Sequence, residues 1–390
     1  MRTITAAQRR ARLVRRHHLA PAARAGSALE VASDLVALHS TDPASVFLSA
    51  WARLRQPTVA TIEAALYEDR QLVRMLGMRR TVFVVPREVA PVVQAACARA
   101  IAADQRQRLV AFIAEAGHGD ARWLEDVETG TLRALIARGS AYGGELVKDE
   151  PRLGERLVLA GGKKYEAAVN LTSRVLFLMA ADGLIVRGRP RGSWVSSQFR
   201  WYPMESWLTG GLCEQPVEAA QAELARRWLA GYGPGTAADL RWWTGWSARD
   251  TQRALGAVGA LEVDLGEGTG WVLPDDLEEE PPLDPAVALL PALDPTIMGW
   301  TQRDWYLGTQ GKSLFDRSGN PCATVWWGGR VVGAWAQRND GEIVHRLFED
   351  LGAEAGRQVE QETARLREWI GDVRVTPRFR TPLEKELSAA

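Results

Sequence analysis

Apolar residues recur at helical spacing through the first part of the chain. Ala6–Leu19, with Thr5 placed to cap it, Ala28–Leu38, Ala44–Leu54 and Thr61–Leu66 read as helices. Pro43 stands at the start of the third, where a helix tolerates proline best. Leu72–Met75 and Thr81–Pro86 then read as two short strands, before Val89–Gly117 returns to helix. Helices followed by a short hairpin make the pattern of a winged helix, and the pattern recurs. Gly130–Arg138, Tyr142–Lys148 and Lys163–Ala181 predict helices, the last with an apolar stripe through Tyr165, Val169, Thr172, Val175, Leu176 and Met179. Leu184–Val186 and Gln198–Trp201 predict the strands of its wing. A third round runs through Val217–Tyr232, Ala237–Thr244 behind Thr236, and Ser247–Val258. It ends in a hairpin, Leu261–Leu265 and Thr269–Leu273, around Gly266-Glu267-Gly268.

Beyond this the chain changes character. Pro274–Pro285 is acidic and proline-rich, a linker by composition. Ala286–Leu293, Ala323–Trp327, Arg330–Gln337 and Ile343–Phe348 predict strands, Ala353–Ile370 a helix and Val373–Phe379 a last strand. The expected fold is therefore α+β and helix-rich. Three tandem winged helix-turn-helix units, residues 1–128, 129–205 and 206–274, precede a linker at 275–285 and a β-barrel-like domain over 286–390.

Composition narrows the class. With 46% apolar and 25% charged residues the chain is an ordinary globular one, not a disordered or coiled-coil one. No apolar run reaches 18 residues, and the basic start lacks the apolar core of a secretory signal. Cys97, Cys213 and Cys322 are far apart and odd in number, which excludes a disulfide framework and suits a reducing cytoplasm. The formal net charge of zero hides an asymmetry. Residues 1–200 hold 30 basic and 19 acidic groups, whereas 201–390 hold 18 and 29. A field so divided suggests a half that faces nucleic acid. Arginine outnumbers lysine 43 to 5, a bias that a GC-rich genome also produces.

Candidate chemistry is sparse. There is no G-x-S-x-G, H-E-x-x-H or phosphate loop. The best polar cluster is His39-Ser40-Thr41-Asp42. In an extended segment His39 and Thr41 point the same way, so that His39 acts as a base and Thr41 orients a water. The same residues also read as plain structure, with Thr41 or Asp42 capping the helix at Pro43. Arg187, Arg189 and Arg191 fall in the predicted wing connection, where they either clamp a phosphate backbone or sit on a solvated tip. Arg79, Arg80, Arg200 and the arginines of the first helix add to the same field. Trp242, Trp243 and Trp246 serve the core or stack on bases, and Asp294 is either catalytic or a turn cap. His118 and His345 are isolated.

Leu38–Pro43 with Ala50-Trp51-Ala52-Arg53, Leu72-Val73-Arg74 with Met78-Arg79-Arg80-Thr81, Leu289–Asp294, Gly319-Asn320-Pro321 and Gly329–Gly333 together resemble the bacterial winged-helix DNA glycosylases of the AlkZ type. The resemblance implies three winged helices forming a concave DNA cradle, closed by a C-terminal β-barrel. It also implies double-stranded DNA with alkylated or crosslinked purines as substrate, no cofactor or metal, and a cytoplasmic, nucleoid-associated monomer. The family's catalytic Gln-x-Gln or Gln-x-Asp aligns with His39 and Thr41, beside Asp42. Its Met-Arg-Gly-Thr-Leu-His reads Met-Arg-Arg-Thr-Val-Phe here, so Phe83 stands in place of a histidine. A non-catalytic winged-helix DNA-binding protein, a regulator or damage sensor, is the alternative.

Overall fold

A two-residue strand, Arg2–Thr3, opens the computed structural model, which describes residues 1–159 and 167–389. It pairs in parallel with Leu261–Asp264, so the chain's first residues add a third strand to the hairpin Leu261–Val272. Thr5 and Gln8 then form a reciprocal capping box that starts the helix Ala6–Arg16. The next helix stops at Asp34, earlier than its apolar pattern predicts. Val36 takes a positive φ of 63°, and Leu38–His39 joins a sheet instead. Residues 35–38 are wholly apolar and buried, so their spacing carries no period that separates helix from strand.

That sheet is the frame of the site. Leu38–His39 pairs antiparallel with Val82–Pro86, which pairs in turn with Leu72–Leu76. The helix Pro43–Arg53 follows directly, capped by Asp42 and buried along its whole length. The helix Ala121–Arg138 is twice the length of the predicted Gly130–Arg138, because Asp120 supplies a cap well upstream. The expected helix Lys163–Ala181 is corrected. Its residues 163–166, Tyr165 among them, lie outside the described residues. Ala167–Asn170 is a strand on Arg156–Leu159, and the helix starts at Leu171 with Asn170 as its cap. Strands Ile185–Pro190 and Phe199–Pro203 then pair. Helices Val217–Tyr232, Ala237–Thr244 and Ala248–Ala257 lead to the third hairpin as predicted.

The C-terminal part holds one open antiparallel sheet, Val287–Leu290, Thr324–Trp327, Arg330–Gln337 and Ile343–Leu347 in that order. No barrel closes among the described residues. The predicted strand Val373–Phe379 has no ladder partner, since Gln337 takes the Val375 N–H on its side chain. A helix, Pro382–Ala389, follows it unpredicted. One apolar core runs from Leu13 to Leu387 and joins the N-terminal helices, the third repeat and this sheet. A smaller core, centred on Leu124, Leu135, Val175 and Met179, is shared with Leu76, Ala102, Leu109 and Ile113 from earlier in the chain. Among the described residues no helix is long and apolar enough to cross a membrane.

Candidate active site

His39 sits at the end of an edge strand opposite Phe83 and contacts that ring edge-on at 5.1 Å. Ser40 donates its N–H to Val82, and the chain then turns into the next helix. Asp42 makes the turn. One carboxylate oxygen accepts from Ala44 N at 3.1 Å and the other from Arg378 N at 3.0 Å, so both are committed to the backbone. Burial raises its pKa, against the pull of those two hydrogen bonds. Asp42 thus holds the frame while His39 and Thr41 face one cavity of about 350 Å³.

His39 is only 4% exposed, and its Nδ1 has no protein partner. Burial first, and then the charge of Arg79, push its pKa down to about 3, so the imidazole is neutral at physiological pH. Thr41 Oγ1 is likewise buried without a partner. Arg79, Thr81, Trp242, Arg303 and Asn320 complete the cavity wall.

Arg79 and Arg80 form a strained turn between the two long strands. Both are left-handed, with φ of 50° and 61°, a conformation that costs non-glycine residues about 1–2 kcal/mol each. The Arg79 guanidinium lies 3.9 Å over Trp242, and Arg303 lies 4.9 Å over the same ring. Trp242 is thus the outward tryptophan of its helix, while Trp243 and Trp246 are core residues. Arg80 reaches the other way, over Phe177, into a neighbouring hollow that it lines with Arg108 and Arg174.

The basic hairpin differs from its expectation. Arg187 and Arg189 belong to the strand Ile185–Pro190, because pairing with Phe199–Pro203 extends past Val186. Arg189 turns away from the cleft into ion pairs with Glu63 and Glu68. Arg191 and Arg200 both lie over Tyr142, and Arg200 also meets Glu145 at 3.6 Å. Arg187 alone of the four shares a cavity with Thr41. The first helix does not join the basic face either, since Arg12, Arg15 and Arg16 pair with Asp276 and Glu280 of the acidic segment. Asp294 is fully buried in a two-pronged pair with Arg53 and bonded to Ser49, which removes it from the candidate chemistry.

Arg378 and Arg303 are the residues that sequence reasoning missed. Arg378 Nη1 donates to Thr41 O at 3.3 Å across 337 positions of sequence, a separation that leaves no local signal. His18, Glu30 and Asp34 are the described residues grouped closely enough for a metal. None of them lines the His39 cavity.

Residues 32–369 match the model of the AlkZ-like DNA glycosylases, and the chain belongs to that family. Its structure is similar to the Streptomyces sahachiroi DNA glycosylase AlkZ, with a TM-score of 0.73 and 21% identity over 97% of this chain and all of that one. At this identity the likeness establishes a shared fold. No curated relative matches by sequence. Membership ties the chain to DNA repair, with DNA as its substrate.

Proposed function

We propose that the chain is a DNA glycosylase that hydrolyses the N-glycosidic bond of alkylated purines, with His39 and Thr41 holding the attacking water. The carrying observation is that both residues line one cavity, and that each keeps a buried hydrogen-bonding atom without a protein partner. An N7-alkylated purine is already cationic, so it departs with little acid catalysis. What remains is to place a water against an oxocarbenium-like sugar. An imidazole with a conjugate acid near pH 3 is a weak base. It orients the water through a lone pair and accepts the proton only as the new bond forms and that water turns strongly acidic. Thr41 supplies the second contact and Asp42 fixes both.

In this reading the three helix–helix–hairpin repeats are winged helices lining a cradle for alkylated or crosslinked duplex. Arg79, Arg80 and Arg187 face the DNA, while Arg189, Arg191 and Arg200 shape the wing. The protein acts as a cytoplasmic monomer without cofactor or metal. Duplex DNA carrying 7-methylguanine, incubated with the protein and then treated with alkali, tests it. Strand breaks are expected with wild type, and about 100-fold fewer with His39→Ala at retained duplex affinity or with Thr41→Ala. Breaks no higher than background across several alkylated substrates would refute the enzyme reading. Phe83, whose ring occupies the flank of His39 where the family has a histidine, is the observation favouring the alternative. That reading is a non-catalytic DNA-binding protein, a regulator or damage sensor, which binds duplex and releases no base.

A further inference from the structure

Behind Thr41 lies a second cavity, of about 310 Å³, that shares Thr41 and Thr81 with the first. Its lining is rich in donors. Arg80, Arg187 and Arg378 reach it, with Ser40, Thr41 and Ser197, and no aspartate or glutamate lines it among the described residues. Ser40 is 2% exposed, and its Oγ is buried without a partner, as is Thr41 Oγ1. Arg187 makes no ion pair with any described residue. Burial first, and then the charges of Arg74 and Arg378, both cations, push its pKa down to about 10. Arg74, at 3% exposure, stands on Phe199 with none of its three guanidinium nitrogens in hydrogen-bonding geometry. Tyr67 is the polar side chain that acts on it, although the two do not meet in full hydrogen-bonding geometry.

Buried cations ordinarily come with an anion, because desolvation without one is costly. Here the half-buried Arg187, the hydroxyls of Ser40 and Thr41 and the more exposed Arg378 line one cavity that no described carboxylate lines, with the buried Arg74 acting on Arg187 from outside it. We propose that this cavity is a phosphate site, and that it takes the backbone phosphodiester flanking the target nucleotide. Arg187 and Arg378 are its charged donors, and Ser40 and Thr41 its hydroxyls. Thr41 then stands between the two cavities, as the nucleotide's sugar stands between its phosphate and its base. The inference rests on DNA being the substrate. It adds that one particular phosphate is gripped rather than many equally, which fixes register as backbone contacts do in general.

Duplexes in which single phosphates are replaced, one position at a time, by uncharged methylphosphonate test it. In wild type one position near the lesion should weaken binding about tenfold or more, the scale of a charge-assisted hydrogen bond. In Arg187→Met the same replacement should have almost no further effect. Arg187→Met should also raise the melting midpoint of the free protein by about 2 °C, because it removes an uncompensated charge. A merely structural arginine would do the reverse. Arg378→Gln, at an exposed position, repeats the coupling test without touching the interior. Wild type that binds duplex but tolerates every methylphosphonate equally overturns the phosphate site while leaving the DNA reading intact. So does a sensitive position that stays sensitive in both variants. A protein that binds no duplex overturns the DNA reading itself. Inorganic phosphate, compared with chloride at equal ionic strength, then decides what the cavity holds. Stabilisation of wild type but not of Arg187→Met would keep the anion site and overturn its assignment to the DNA backbone.

Discussion

His39 is a histidine kept from titrating. Its pKa in the folded chain, about 3, lies below the ordinary 6.5, so acid protonates the unfolded chain first. The stability that neutral His39 contributes is complete above pH 6.5 and is lost as the pH falls toward 3, at up to about 1.4 kcal/mol per unit. His17, fully buried and pushed the same way, adds a second proton of the same sign. His39→Gln should make the fall of urea-unfolding free energy between about pH 6.5 and pH 4 distinctly shallower. An unchanged slope would contradict a neutral, buried His39. Base release should be flat from about pH 5 to pH 8, since the imidazole does not change charge there. Arg80 carries a different tension. At φ 61° it occupies a position that the resembling family gives to glycine. Arg80→Gly relieves about 1–2 kcal/mol of backbone strain, less about 0.5–1 for glycine's extra freedom when unfolded. The variant should be slightly more stable in urea and should bind duplex more weakly, a stability gain made at the interface's expense.

Elements were legible where a cap coincided with an apolar stripe. Thr5, Thr236 and Ser247 mark helix starts in the sequence and in the structure alike. The hairpin Leu72–Pro86 was legible because its strands are short, apolar and separated by a polar turn. What failed was the run with no period. Residues 35–38 are buried on every side, so only the partner strand at Val82–Pro86 decides that Leu38–His39 is extended. Without that strand, His39 and Thr41 would not share a wall. The site's identity was half legible for the same reason. Two polar residues separated by one position, His39 and Thr41, could be named, but Arg303, Arg378 and the burial of Arg74 arise from contacts across tens to hundreds of positions. The ion pair of Arg53 with Asp294 shows how elements are locked together. It ties the helix Pro43–Arg53 to the loop after Val287–Leu290, with both side chains at 0% exposure. Asp294→Ala should cost about 3–5 kcal/mol in urea unfolding, because it strands a buried guanidinium. A loss below about 1 kcal/mol would mean that Arg53 finds water or another acceptor.

The whole molecule settles its charge internally before it meets a ligand. The acidic segment lies against the first helix, where Asp276 and Glu280 neutralise Arg12, Arg15 and Arg16. The basic excess of the first half is therefore smaller at the surface than in the sequence. Among the arginines in no ion pair with a described carboxylate, Arg79, Arg80, Arg174, Arg187, Arg303 and Arg378 line the neighbouring cavities. The salt dependence of duplex binding should follow this division. Arg80→Gln and Arg174→Gln should each reduce the slope of log K against log salt by about one unit. Arg16→Gln should leave the slope alone and lower stability instead. Equal effects from all three would mean that the first helix meets DNA after all.

The strand Arg2–Thr3 also sets a timetable. Its partner, Leu261–Asp264, is made some 260 residues later, and the main core likewise draws on Leu13 and Leu387. On the ribosome the opening segment must wait, its apolar face uncovered, until most of the chain has emerged. The smaller core, whose members all lie between Leu76 and Trp201, can settle earlier. Its premature closure is harmless, whereas the rest of the molecule is a single commitment made at the end of synthesis.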